Sequence, residues 1–362
     1  MPTNFKVLVT ATNYGELCGE AKQRLENYDI EVIENPFGRP LTFEELRERI
    51  GDIDAVIAGI DTWNEAVFQL APKLKAIARF GVGVDNIDIE KARDYGIKVT
   101  NAPRLNSNAV AELTVGLILG ILRNIPALDH STRLGSWERF VGDELDGRSI
   151  GLLGFGNIAQ MVAKKLQGFD VQLRAFDKYP NVEKAKEYRV EIVSLEDVLQ
   201  KSDIVTLHLP SLPETKYFMN DERFGMMKPH SYFVNTSRGL LVEENALYRA
   251  LTSGSLKLAA IDVYEHEPVL PSNPLLGLPN LIATPHTAAE TFETYRSVGL
   301  LTAEAIIDWT AEFRTICCKD SLSDPASNRC SIPVLATKKR GSASCSCFTW
   351  VIRFHQAMLT RV

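Results

Sequence analysis

The chain has 362 residues, enough for two domains of ordinary size, and 45% of them are hydrophobic, enough for two cores. Its 40 Lys+Arg and 46 Asp+Glu give a formal net charge of −6, and no dense basic stripe crosses the body of the chain, so nucleic acid is not expected as a partner. The start, Met1 to Lys6, leads into the short apolar run Val7–Val9 rather than a signal peptide. The longest apolar stretch, Leu113 to Leu122, is too short to span a bilayer, so no membrane is expected. Five of the six cysteines lie at Cys317 or beyond, leaving Cys18 alone in the body, which fits a reducing, cytoplasmic compartment.

Strand and helix signals alternate from the start. Lys6–Thr10 reads as a strand and Glu16 to Leu25 as a helix, and Thr42 with Glu45 forms a capping box that opens another helix. Ala55–Ile57 and Ala76–Ala78 read as buried strands, with a helix from Ile89 to Tyr95. Alternation of this kind implies a parallel sheet. Just past the strand at Ala76 comes Arg79-Phe80-Gly81-Val82-Gly83-Val84-Asp85-Asn86-Ile87-Asp88, whose backbone N–H groups around Val82 and Gly83 are placed to meet an anion. Asn108 to Asn124 follows as a helix apolar nearly all round, expected between domains or subunits.

The organising stretch is Ser149 to Ala159, an apolar run that turns into Gly154-x-Gly156-x-x-Ala159 and then a helix. A strand turning sharply into a helix leaves unpaired N–H groups and partial positive charge at the helix start, which suits a pyrophosphate. The next apolar run ends in Asp177, and 177 − 156 = 21 residues is the spacing of an acid that takes a ribose diol. Lys178-Tyr179-Pro180 offers no arginine for a 2′-phosphate, so NAD is favoured over NADP. Further strands at 203–209, 231–236, 258–261 and 281–284 follow. The last three deliver Arg238, Asp262 with Glu267, and His286 at their carboxyl ends, where open sheets bind ligands.

That set suits reduction of a 2-oxo acid. His286 can exchange a proton near neutral pH, Glu267 can orient its ring, and Arg238 offers a planar fork of donors for a carbonyl and a carboxylate. His266 lies between two glutamates without a spaced partner, so no metal is expected and the residue reads as exposed.

Six motifs, in order, resemble the D-2-hydroxyacid dehydrogenases: Gly81 to Asp88, Asn108 to Glu112, Gly154 to Ile158, Asn235 to Gly239, Asp262 to Pro268, and Thr284 to His286. The resemblance covers roughly residues 5 to 312. It implies an α/β protein of two Rossmann-like or flavodoxin-like domains with parallel sheets, the cofactor domain inserted into the substrate domain. The substrate domain is expected over 1–103 and 290–313, the NAD-binding domain over 104–289. The same resemblance implies catalytic roles for Arg238, Glu267 and His286, and substrate contacts from Arg79, Val82, Gly83 and Arg238. Cofactor contacts are implied for Gly154, Gly156, Asn157, Ile158 and Asp177, for His208, Pro210 and Thr215, and for Thr236, Ser237, Asp262 and Ala288. Relatives form dimers through the cofactor domain, so a homodimer is expected.

Two departures bear on substrate. Phosphoglycerate dehydrogenases of this family usually carry an arginine after the strand in the stretch that here reads Ala55 to Asp61; that position is Ala58, with Gly59 next and Asp61 close by, which argues against gripping a phosphate there. Formate dehydrogenases usually have glutamine where this chain has Glu267. The activity implied is NAD-dependent interconversion of a 2-oxo acid and a D-2-hydroxy acid, like a phosphoglycerate dehydrogenase or a hydroxypyruvate or glyoxylate reductase. The alternative is an NAD(H)-sensing corepressor-type binding protein of the same fold. Beyond residue 313 the composition turns to Ser, Cys and basic residues without periodicity, so 314–362 is expected to be a disordered, atypical tail, with a short amphipathic piece near Phe348 to Met358.

Overall fold

The computed structural model describes residues 5–321. Two sheets, each parallel throughout, dominate these residues.

The first has five strands, β1 (Phe5–Val9), β2 (Ile30–Glu34), β3 (Ala55–Ala58), β4 (Ala76–Arg79) and β5 (Lys98–Thr100), in the order β2-β1-β3-β4-β5. Every residue of β3 and β4 is buried, as parallel strands covered on both faces require. Leu8, Val56 and Ile77 of these strands pack with Leu46, Trp63 and Phe68 to form the core on one face. The capping box is present: the Thr42 hydroxyl accepts from the Glu45 N–H, and the Glu45 carboxylate accepts from the Thr42 N–H. The expected helix from Glu16 to Leu25 is two, Tyr14–Leu17 and Gly19–Glu26, broken at Cys18. Glycines at 15 and 19 weaken continuous helix there.

The second sheet has seven strands, β6 (Ser149–Leu153), β7 (Gln172–Phe176), β8 (Val190–Ile192), β9 (Ile204–Leu207), β10 (Ser231–Asn235), β11 (Leu256–Ile261) and β12 (Leu281–Ala283). Their order, β12-β11-β10-β9-β6-β7-β8, reverses direction between β6 and β9, the kind of switch point beside which open sheets hold ligands. The helix Ser107–Leu122 buries ten of its sixteen residues inside the chain's own second core, against the helix Asn157–Lys165 and the strands β10 and β11. Its apolar character is therefore satisfied largely within this chain. Exposed apolar side chains lie just after it instead, at Ile125, Leu134, Trp137 (86% exposed) and Val141 (93%).

After β12 the helix Phe292–Ser321 returns to the first sheet's helices. Cys18 Sγ donates to the Tyr295 carbonyl (3.3 Å), Arg24 pairs with Glu304 (2.6 Å), and Arg296 pairs with Glu20 (3.3 Å). This helix runs past residue 314 to Ser321, because neither glycine nor proline interrupts the chain between Leu300 and Asp324. The remainder of the expected tail, including Phe348 to Met358, lies outside the described residues. Among the described residues no single helix is long and apolar enough to cross a membrane.

Candidate active site

β6 turns into the helix Asn157–Lys165 through Gly154, at φ +95. A Cβ there would stand 2.8 Å from the His208 carbonyl oxygen, so the turn needs both the positive φ and the missing side chain. No side chain caps the helix start, a Cβ on Gly156 would meet nothing, and Gly156 and Asn157 are exposed, with Ile158 half-buried. The first N–H groups are thus left for an anion. Asp177 stands at the end of β7, its two oxygens accepting from the N–H groups of Phe155 and Tyr179 at 2.7 Å each. The carboxylate is thereby fixed beside the glycine turn with lone pairs to spare for a diol. An open, uncapped helix start with a fixed acid beside it fits a dinucleotide.

The other residues expected at a cofactor differ in exposure. Pro210 is exposed, and Thr215 braces the loop after it, donating to the Pro210 carbonyl (2.7 Å). The His208 ring meets Thr206 Oγ1 (3.1 Å), and burial pushes its pKa down to about 3, so the ring is neutral. Ser237 Oγ donates to the Leu207 carbonyl (2.9 Å), joining β10 to β9. Thr236 is buried, its hydroxyl 2.8 Å from that of Thr114.

Asp262 departs further from expectation. It is 0% exposed, and its carboxylate accepts from Thr284 Oγ1 (2.6 Å), the Thr287 N–H (2.9 Å) and the Ala288 N–H (2.9 Å). Both oxygens are therefore engaged in holding the loop that carries His286, and Ala288 is buried within that arrangement. The Asp262 carbonyl also accepts from the His286 N–H (2.7 Å).

His286 adopts φ +51, a left-handed conformation uncommon outside glycine. Its Nδ1 lies 2.6 Å from Glu267 Oε2, while Glu267 Oε1 accepts from the Tyr264 N–H at 3.0 Å. An ionised carboxylate only accepts, so Nδ1 carries the proton and Nε2 is the free end of the ring. His266 is exposed, and no metal-binding group of His, Cys, Asp and Glu occurs among the described residues.

Arg238 leaves the end of β10, one strand from Asp262 and two from His286. Two strand spacings set Arg238 and His286 roughly 10 Å apart at their bases, room for a small acid. Arg238 Nε donates to both oxygens of Asp85 (3.0 and 3.1 Å), and Nη1 donates to the Ser237 carbonyl (2.7 Å). Gly83 makes this seat possible, since a Cβ there would fall 1.7 Å from Arg238 Nη2. The N–H groups of Val82 and Gly83 have no acceptor among the described residues, and Asn101 Nδ2 fixes the loop by donating to the Val82 carbonyl (2.6 Å).

Arg79, expected to touch substrate, is only 7% exposed at the end of β4. Its Nη1 donates to the Phe80 carbonyl, its Nε has no partner, and burial, then the charge of Arg238, lowers its pKa to about 10. It lies behind the glycine loop. Asp61 is likewise 2% exposed and accepts from Thr10 Oγ1 and the Leu41 N–H, so it anchors a loop instead of presenting an acid to the site.

Two residues near these groups are not singled out by a reading of the sequence. Asp85 sits inside a quoted motif, but its partner is 153 residues away. Glu290 accepts from Tyr295 OH (2.5 Å) within electrostatic reach of His286, burial raises its carboxyl pKa, and Tyr295 packs on Phe80 at 5.3 Å between ring centroids. No motif marks that pair.

The family model described as "D-isomer specific 2-hydroxyacid dehydrogenase, NAD binding domain" matches residues 115–288. The chain is 42% identical over 280 residues to D-3-phosphoglycerate dehydrogenase of Methanocaldococcus jannaschii, covering 76% of this chain and 53% of that one. It thus spans about half the length of that relative. Glyoxylate reductase of Pyrococcus furiosus is 36% identical over 292 residues, covering 78% of this chain and 86% of the reductase. The solved structure of the pyruvate reductase of Chlamydomonas reinhardtii superposes with a TM-score of 0.76 at 28% identity, covering 86% of this chain and 97% of that one. With a strand-end arginine, a carboxylate–histidine pair and an open glycine turn on one sheet edge, the chain belongs to the D-isomer specific 2-hydroxyacid dehydrogenase family.

Proposed function

We propose that the protein is an NAD-dependent dehydrogenase interconverting a small 2-oxo acid and its D-2-hydroxy acid. The observation that carries this reading is the Glu267–His286 contact of 2.6 Å on the strand edge that also presents Arg238. NAD(H), when bound, supplies or takes up the hydride at C2. Gly154, Gly156, Asn157 and Ile158 would receive its pyrophosphate and Asp177 a ribose diol. Arg238 and the free N–H groups of Val82 and Gly83 grip the substrate carboxylate, and Arg238 also polarises the C2 carbonyl. His286 Nε2 gives its proton to the carbonyl oxygen as C2 is reduced and takes it back in the reverse direction, while Glu267 holds the ring and balances its charge. Asp262 acts on this chemistry by fixing the histidine loop.

Ala58 at the position where a phosphate-binding arginine is usual, together with the burial of Arg79, favours an unphosphorylated acid such as glyoxylate or hydroxypyruvate. We assign residues 1–103 and 290–313 to substrate binding and 104–289 to the nucleotide. A homodimer is supported by the exposed apolar side chains of Ile125, Leu134, Trp137 and Val141, and a cytoplasmic setting by the free, buried Cys18.

The test is NADH oxidation with glyoxylate, hydroxypyruvate, pyruvate, 3-phosphohydroxypyruvate and branched 2-oxo acids, with His286→Ala in parallel. Turnover on an unphosphorylated acid is expected, reduced about 10²–10⁴-fold in the variant. NADH binding without turnover on any acid would replace this reading with that of a binding protein.

A further inference from the structure

We propose that Asp85 is a positioning residue for Arg238: from the loop after β4 it grips the Nε side of the guanidinium and turns the Nη edge toward the substrate carboxylate. The inference rests on the reading of Arg238 as the substrate-binding cation.

Arg238 is held on three sides. Asn235 Nδ2 donates to its carbonyl (3.0 Å), Nη1 donates to the Ser237 carbonyl (2.7 Å), and Nε donates to both Asp85 oxygens (3.0 and 3.1 Å). A guanidinium has five N–H donors, so three remain. Two of them are on Nη2, which occupies the place of a Gly83 side chain, and the third is on Nη1. The N–H groups of Val82 and Gly83, unengaged among the described residues, belong to the loop that Nη2 meets, so an anion held there has donors available from both sheets.

The electrostatics explain why an acid is needed beside this edge. Arg79, buried behind the loop, repels Arg238, and two guanidiniums at one place require a shared counter-charge. Asp85 is that charge. Burial alone would raise its pKa, yet the Arg238 ion pair and Arg79 together hold it below the ordinary carboxylate range, so it stays ionised at working pH. A carboxylate on the Nε side leaves the Nη pair for a second carboxylate, whereas a fork-on contact through both Nη atoms would have consumed it.

The experiment is a double-mutant cycle on the full chain, using Asp85→Asn, Arg238→Lys and the pair, with kcat and KM for the best 2-oxo acid and NADH affinity by fluorescence. Asp85→Asn is expected to lower kcat/KM about tenfold or more with NADH affinity within about twofold of wild type, and to add less than about twofold on the Arg238→Lys background. Asp85→Glu, which keeps the charge, should recover part of the loss, and it decides the matter should Asp85→Asn fail to fold by circular dichroism. Independent, multiplying losses would overturn the proposal, as would tighter substrate binding in Asp85→Asn, the mark of an acid that competes for Arg238. The same cycle on the Kd of oxamate for the NADH-bound protein separates the two readings. Coupling in oxamate binding without turnover would retain the role of Asp85 and discard the dehydrogenase, and absence of oxamate binding as well would overturn both.

Discussion

His286 is held in an uncommon backbone conformation by one neighbour above all. Asp262 takes the His286 N–H on its carbonyl and two further N–H groups and a hydroxyl of the same loop on its carboxylate. Asp262→Ala keeps the carbonyl but would leave the Thr284, Thr287 and Ala288 donors without the carboxylate, at a cost of about 2 kcal/mol or more. It should lower the melting temperature and kcat together, with NADH affinity less affected; unchanged kcat would show that the loop holds itself. How far such roles can be read from the chain differs residue by residue. The placement of Gly154, Asp177, Arg238 and His286 is legible because each follows an apolar run that stops at the carboxyl end of a strand. The role of Asp262 is not, since an acid after a strand looks the same whether it faces a cofactor or its own loop. Asp85 and Asp61 share that ambiguity and resolve oppositely, one across the site and one into the core.

Among the elements, the buried central strands are legible, and of the three-residue edge strands only β12 is. β3, β4, β6 and β10 are buried along their whole length and apolar except for Arg79, Ser149, Ser231 and Asn235 at their ends. β5 and β8, at edges, are three residues each and carry little pattern of their own. What ties β6 to its neighbour is polar. Asp203, just before β9, accepts from the Ser149 N–H (2.9 Å), Ser149 Oγ (2.7 Å) and Lys228 Nζ (2.8 Å). Burial would raise its pKa, but Lys228 and the Ser149 bonds outweigh it and hold the carboxyl low. A lowered folded pKa means stability that is complete above the unfolded carboxylate pKa, near 4, and lost as pH falls through the folded one. Asp203→Asn should therefore melt below wild type at pH 7, and the gap should close as pH falls well below about 4. A gap that persists in acid would assign the difference to packing rather than charge.

At the scale of the molecule, the exposed apolar residues after the helix Ser107–Leu122 bear on assembly. Replacing Trp137, 86% exposed, and Val141, 93% exposed, by aspartate should convert a dimer to a monomer by light scattering without lowering the melting temperature of the subunit. A wild-type monomer would remove the homodimer from the proposed function. The return of the last helix to the first sheet has a different kind of consequence. The helices nearest the start of the chain take part of their cover, Tyr295, Gly299 and Glu304, from residues made after the entire second sheet. The strands of the first sheet are made before those of the second, but the helix that covers their neighbours is made after, so during synthesis the packing of the first sheet waits until the second sheet's strands have emerged.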